Sequence, residues 1–148
     1  MDAKRRTTLL AALGIPFALL PISRASEETQ TVNLYADEGL ASYGFPDGHP
    51  LGIDRQAAFL AEAEVQGLLS RTVRSNSRSA TREELELFHT KDYIDYVFKA
   101  EGRGIQLLDG GDTPVFPGVY EASAHVAGAA LDGLTQIIEG NCTRTLQP

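Results

Sequence analysis

The chain has 148 residues, of which 43% are hydrophobic and 22% charged, the balance of a folded protein rather than a disordered one. Its formal net charge of −7, and the lack of any Lys/Arg run interleaved with aromatics, exclude a nucleic-acid binder. With Cys142 as the one cysteine, neither an internal disulfide nor a cysteine zinc cluster can form within the chain.

Residues 1–25 read as a secretory signal. Lys4, Arg5 and Arg6 precede an apolar run from Leu9 to Ile22, and Ser23-Arg24-Ala25 ends it with small residues at both positions a signal peptidase reads. The run is shorter than the roughly 20 residues that span a bilayer, and Pro16 and Pro21 interrupt it, so no stable membrane span is expected after cleavage. Arg5-Arg6 also resembles a twin-arginine signal. Export would place the protein in the periplasm or outside the cell; without a genuine signal it would be cytoplasmic. Four basic residues and one acidic residue leave with the segment, taking the net charge from −7 to −10.

After a polar lead-in from Glu27, the alternation of Thr31 to Tyr35 predicts a strand ending near Asp37. Glu38 to Leu51, with three glycines and two prolines, reads as a long loop. Asp54 then caps a helix whose inward face is Ala57, Ala58, Ala61, Val65 and Leu68. Arg71 to Ser79 reads as a polar connector. Thr81 and Glu84 form a capping box for a short helix carrying Leu85 and Phe88, and Thr90 caps another with Tyr93, Ile94, Val97 and Phe98 on one face. A glycine-rich loop covers Glu101 to Asp112. Gly118 to Ile138 forms a long helix facing inward through Ala122, Val126, Ala130, Leu134 and Ile137, with Gly140 as its stop. One strand cannot make a sheet, so the chain reads as the opening section of a larger α/β fold.

Three segments carry a family resemblance: GHPLGIDR (Gly48 to Arg55), ATREELELFHTKDYIDYV (Ala80 to Val97) and GGDTPVFPGVYEASAHVAGAAL (Gly110 to Leu131). In this order and spacing they resemble the N-terminal part of the zinc-dependent deacetylase superfamily, which comprises histone deacetylases, acetoin utilization proteins and acetylpolyamine amidohydrolases. The resemblance implies a three-layer α/β fold of the arginase/deacetylase kind, built on a parallel sheet and incomplete in this chain, with residues 26–140 as its N-terminal part. It implies hydrolysis of acetyl-lysine or small acetylated amines with a zinc ion as cofactor. An exported protein would favour small acetylated compounds.

The same resemblance gives Asp112 the place of a rim aspartate that accepts hydrogen bonds from the substrate backbone. It gives Arg55 the place of an arginine lining a product exit channel. His49 is read as a structural histidine bonded to backbone, His89 as a helix-boundary residue, and His125 as no zinc ligand. Tyr43 and Phe45 line either the substrate mouth or a satellite apolar cluster.

The His–His pair, the Asp-x-His strand, the further aspartate and the late Gly-x-Tyr of the superfamily do not occur in these residues. No catalytic residue and no metal ligand is therefore assigned. The tail from Asn141 to Pro148 suits neither a strand nor the family's Asn-Pro motif, so a frameshifted or truncated gene is expected. The alternative function is a non-catalytic remnant or interaction module, and the uncovered sheet edge is expected to promote association.

Overall fold

The computed structural model describes residues 32–46 and 48–148, so the reading of residues 1–25 as a signal lies outside the described residues. Its centre is a parallel three-stranded sheet with the order β2-β1-β3. Strand β1 (Val32–Tyr35) lies between β2 (Thr72–Ser75), in register from Val32↔Thr72 to Tyr35↔Ser75, and β3 (Arg144–Leu146), in register from Val32↔Arg144 to Leu34↔Leu146. Asn33, Leu34 and Tyr35 are all buried, as expected of a central parallel strand covered on both faces. The class is α/β, and the sheet is parallel.

Two strands correct the sequence reading. β2 lies within the connector Arg71 to Ser79, and β3 within the tail expected to suit no strand. Both are short edge elements whose ladder partner is β1, so neighbouring residues in sequence do not signal them. Their outer edges carry no further ladder among the described residues.

Helix α1 (Glu38–Ala41) is a second departure, since Glu38 to Leu51 reads as loop throughout. It exists because the Asp37 carboxylate accepts from the Leu40 N–H at 3.1 Å, satisfying a donor that a helix start leaves unpaired. The remaining helices form where the sequence places them. They are α2 (Arg55–Val65), α3 (Arg82–Leu85), α4 (Lys91–Ala100) and α5 (Val119–Ile138). The capping box is complete, with Glu84 N–H on the Thr81 hydroxyl at 3.2 Å and Thr81 N–H on the Glu84 carboxylate at 2.7 Å. Thr90 accepts from Tyr93 N–H at 3.3 Å.

The faces are less well read than the spans. In α2 the alanine face points to solvent, and Gln56 and Ala63 are the buried residues. In α4 Ile94 and Val97 are buried while Tyr93 and Phe98 are exposed. In α5 Ala122 is buried and Val126 packs against the core, but Ala130, Leu134 and Ile137 are exposed. The inward stripe of α5 instead runs through Ala122, Ala124, Gly128, Ala129 and Gly133.

Close approach explains these small residues. A Cβ on Gly128 would overlap the backbone of Arg78, Ser79 and Ala80, and one on Gly133 would crowd the Thr145 side chain of β3 at 3.0 Å. Ala80 N–H donates to Ala124 O at 2.8 Å, which stitches the connector after β2 onto α5. Tyr35, Leu40 and Ala129 make the core where sheet, α1 and α5 meet. Among the described residues no helix is long and apolar enough to cross a membrane.

Candidate functional site: the Asp112 loop and its supports

The segment after Leu107 is organised by Asp109, which lies within the glycine-rich loop and which the sequence does not single out. One Asp109 carboxylate oxygen accepts from the N–H groups of Gly111, Asp112 and Thr113 at 3.0, 2.9 and 3.1 Å, and the other accepts from the Thr113 hydroxyl at 2.7 Å. These bonds, led by that of Gly111, hold its carboxyl well below the ordinary carboxylate range. The signal lay in Asp-x-x-x-Thr, where an Asx turn and a hydroxyl share one carboxylate. Leu108 N–H to Thr113 O at 2.9 Å and Val115 N–H to Gln106 O at 2.9 Å close the loop into a narrow antiparallel turn.

Asp112 sits at the tip of this turn. Its backbone is fixed by Asp109, while its side chain is 91% exposed. One partner reaches it from a distant part of the sequence: His49 Nε2 lies 3.3 Å from Asp112 Oδ1. His49 Nδ1 accepts from Leu51 N–H at 3.0 Å, so the network assigns the ring proton to Nε2, which donates to Asp112. His49 is thus bonded to backbone as the sequence suggests, and its other edge joins the GHP and DGGDTP segments.

Arg55, the first residue of α2, donates from Nη1 to Tyr43 O and from Nη2 to Leu40 O at 3.3 Å. It closes the C-terminal end of α1 and the backbone that follows. Tyr43 and Phe45 form an edge-to-face cluster with Phe116, at centroid distances of 5.7 to 5.9 Å, and Phe45 meets His49 at 4.6 Å. A satellite aromatic cluster is what these two residues form. Through it, Arg55, His49 and the Asp112 segment share one packed unit. Burial, strengthened by Tyr93 and opposed by Arg55, raises the Tyr43 hydroxyl above its ordinary value.

A second polar cluster lies behind α1. His125 Nε2 is 2.6 Å from the Ser77 hydroxyl and 3.4 Å from Asp37 Oδ1, and His125 Nδ1 is 3.2 Å from the Ser79 hydroxyl. Ser77 donates to Asp37 Oδ2 from both N–H (2.8 Å) and hydroxyl (2.5 Å). Glu121 stands one turn before His125, and both line a cavity of about 260 Å³ with Gly39, Ser79 and Phe116. Burial alone would raise the Asp37 carboxyl, but the bonds from Ser77 and Leu40, with His125 nearby, outweigh it and lower it.

Because Asp37 is depressed in the folded state, the stability it supplies is present above the ordinary value of 3.8 and is lost as pH falls through the depressed one. Acidification is therefore expected to release α1 first. Amide exchange of residues 38–45, corrected for intrinsic rate and followed from pH 6 to pH 3, checks this; protection that stays level would contradict it.

Zinc is the cofactor implied by the resemblance. No three His, Cys, Asp or Glu side chains among the described residues converge as metal donors. His49 and His125 each meet a carboxylate, yet each ring is occupied by backbone or hydroxyl partners. His89 packs its ring against Phe88 and Tyr93. These residues do not fit the ion.

Residues 49–147 match the model of the histone deacetylase domain. The chain belongs to the histone deacetylase family. It is 25% identical over 130 residues to histone deacetylase RPD3 of Saccharomyces cerevisiae, covering 82% of this chain and 30% of that protein. It is 33% identical over 118 residues to the acetoin utilization protein AcuC of Staphylococcus xylosus, covering 74% of this chain and 30% of the relative. The crystal structure of a histone deacetylase homolog from Aquifex aeolicus superposes with a TM-score of 0.60 at 28% identity, over 80% of this chain and 34% of that one. This member of the family thus spans about a third of the length of the relatives it matches. The matched stretch runs through β3.

Proposed function

We propose that these residues form the substrate-entry wall of a zinc-dependent deacetylase acting on acetyl-lysine or a small acetylated amine. Asp112 is the substrate contact. The observation that carries this is its combination of a fixed backbone and an exposed carboxylate: Asp109 fixes the backbone, His49 meets one carboxylate oxygen, and the side chain remains 91% exposed. Such an acceptor binds peptide N–H groups without an ordering cost at the moment of binding. Arg55 lines the product side, held on the Tyr43 and Leu40 carbonyls. The outer edges of β2 and β3 suit pairing with further strands, and Lys4, Arg5 and Arg6 ahead of an apolar run support export.

The test is a chimera in which residues 49–147 of this chain replace the matching segment of the Staphylococcus xylosus relative. Removing a hydrogen-bonding carboxylate costs about 1.5–3 kcal/mol, so Asp112→Ala is expected to lower kcat/KM on an acetylated peptide about 10- to 100-fold, mainly through KM. Parental kcat/KM in that variant would sink the assignment.

A further inference from the structure

The Asp37, Ser77 and His125 cluster has the composition of a nucleophilic triad, and its geometry decides against one. In a triad the carboxylate holds the imidazole nitrogen far from the hydroxyl. Here Asp37 approaches the same nitrogen as Ser77, at 3.4 Å, and itself accepts the hydrogen bond of the serine hydroxyl at 2.5 Å. The far nitrogen faces Ser79 instead. A hydroxyl already committed to a carboxylate is held rather than activated.

What the cluster does is join three separate stretches of chain. Ser77 and Ser79 come from the connector after β2, Asp37 from the start of α1, and His125 from the middle of α5. Gly39 of α1 lies flat against the imidazole, where any Cβ would overlap the ring. Helix α1 has only four residues, too few to be stable alone, so its position depends on what holds its ends. One end is held by Asp37. The other end supplies the Leu40 and Tyr43 carbonyls that take Arg55, and Tyr43 leads into the aromatic cluster on which His49 packs.

We propose that Ser77 and His125 are positioning residues: a latch that sets α1 on α5 and thereby braces Arg55 and, through the Tyr43 and Phe45 cluster, His49 beside Asp112. Calling that neighbourhood the substrate side rests on the function proposed above; the latch itself does not. Sequence spacing conceals it, because Asp37, Ser77 and His125 lie on three elements with no shared motif.

Hydrogen–deuterium exchange of the full chain tests it, with Ser77→Ala, His125→Phe and Ser77→Thr beside the parent. In Ser77→Ala and His125→Phe, residues 38–45 and 49–55 are expected to exchange about tenfold faster, while α4 keeps its parental rate. Ser77→Thr retains the hydroxyl and is expected to match the parent. Unchanged exchange over 38–45 overturns the latch. So does an equal rise in α4 in both variants, which marks general loosening, or a failure of threonine to restore protection. The readout needs no turnover, so it stands or falls independently of the chimera experiment.

Discussion

Gly128→Ala is expected to destabilise the chain by about 2 kcal/mol, although alanine is the better helix former by about 1 kcal/mol. The reason is what the new methyl would meet. It would overlap the Arg78 carbonyl and the backbone of Ser79 and Ala80, not the end of a flexible side chain. Overpacking a closed contact costs about 1–3 kcal/mol, and backbone yields less readily than side chain. Relief requires lifting the connector off α5, which stretches the Ala80 N–H to Ala124 O bond of 2.8 Å and forfeits about 1 kcal/mol more. The same movement draws Ser77 and Ser79 from His125. Clash and lost bonds together exceed the helical gain. A fall of roughly 6 °C in the midpoint of a circular-dichroism melt is the expected reading, and a rise would show that the connector yields freely.

Leu40→Ala is expected to cost about 2–5 kcal/mol, the range for truncating a fully buried leucine. Leu40 is 0% exposed and packs in the core with Tyr35 and Ala129. It also matters beyond its volume, because its N–H takes the Asp37 cap and its carbonyl takes Arg55. A cavity there removes apolar contact from the element whose backbone ends hold both polar partners. Guanidinium unfolding should show a lower midpoint with an unchanged slope. Leu87→Ala, at a side chain 85% exposed, should change the midpoint little.

Long helices and the Thr81 and Thr90 caps are legible in the sequence because their causes are local, whereas Asp54, expected to cap α2, makes no side-chain cap bond. Thr81 with Glu84, and Thr90 before Tyr93, are signals contained in four residues. β2 and β3 were not legible, since Thr72–Ser75 and Arg144–Leu146 are half-exposed and become strands only by pairing with a remote β1. The face of α2 was misread for another reason. Alanine is nearly neutral between core and water, so a run of alanines carries no direction, and Gln56 and Ala63 turned inward. Buried Gln56 leaves its side-chain NH₂ without a partner among the described residues, a placement no apolar pattern would suggest.

At the site, Asp112 was visible through its motif, whereas its supports were not. His49 meets it from 63 residues away, and Asp109 does its work through backbone N–H groups that every residue type shares. The chemistry of a loop is written partly in what its backbone donates, and that is invisible in side-chain letters.

The order β2-β1-β3 also bears on how this protein reaches its structure. Among the described residues the central strand β1 precedes both of its neighbours in sequence, and its partner β3 is Arg144–Leu146. Until β3 exists, Asn33 and Leu34 have a ladder on one side only. Contacts this far apart in sequence make folding slow, because a long loop must close before any pairing rewards it. A nascent chain therefore holds this buried strand paired on one edge until β3 emerges, and the open edge is available for other pairing in that interval.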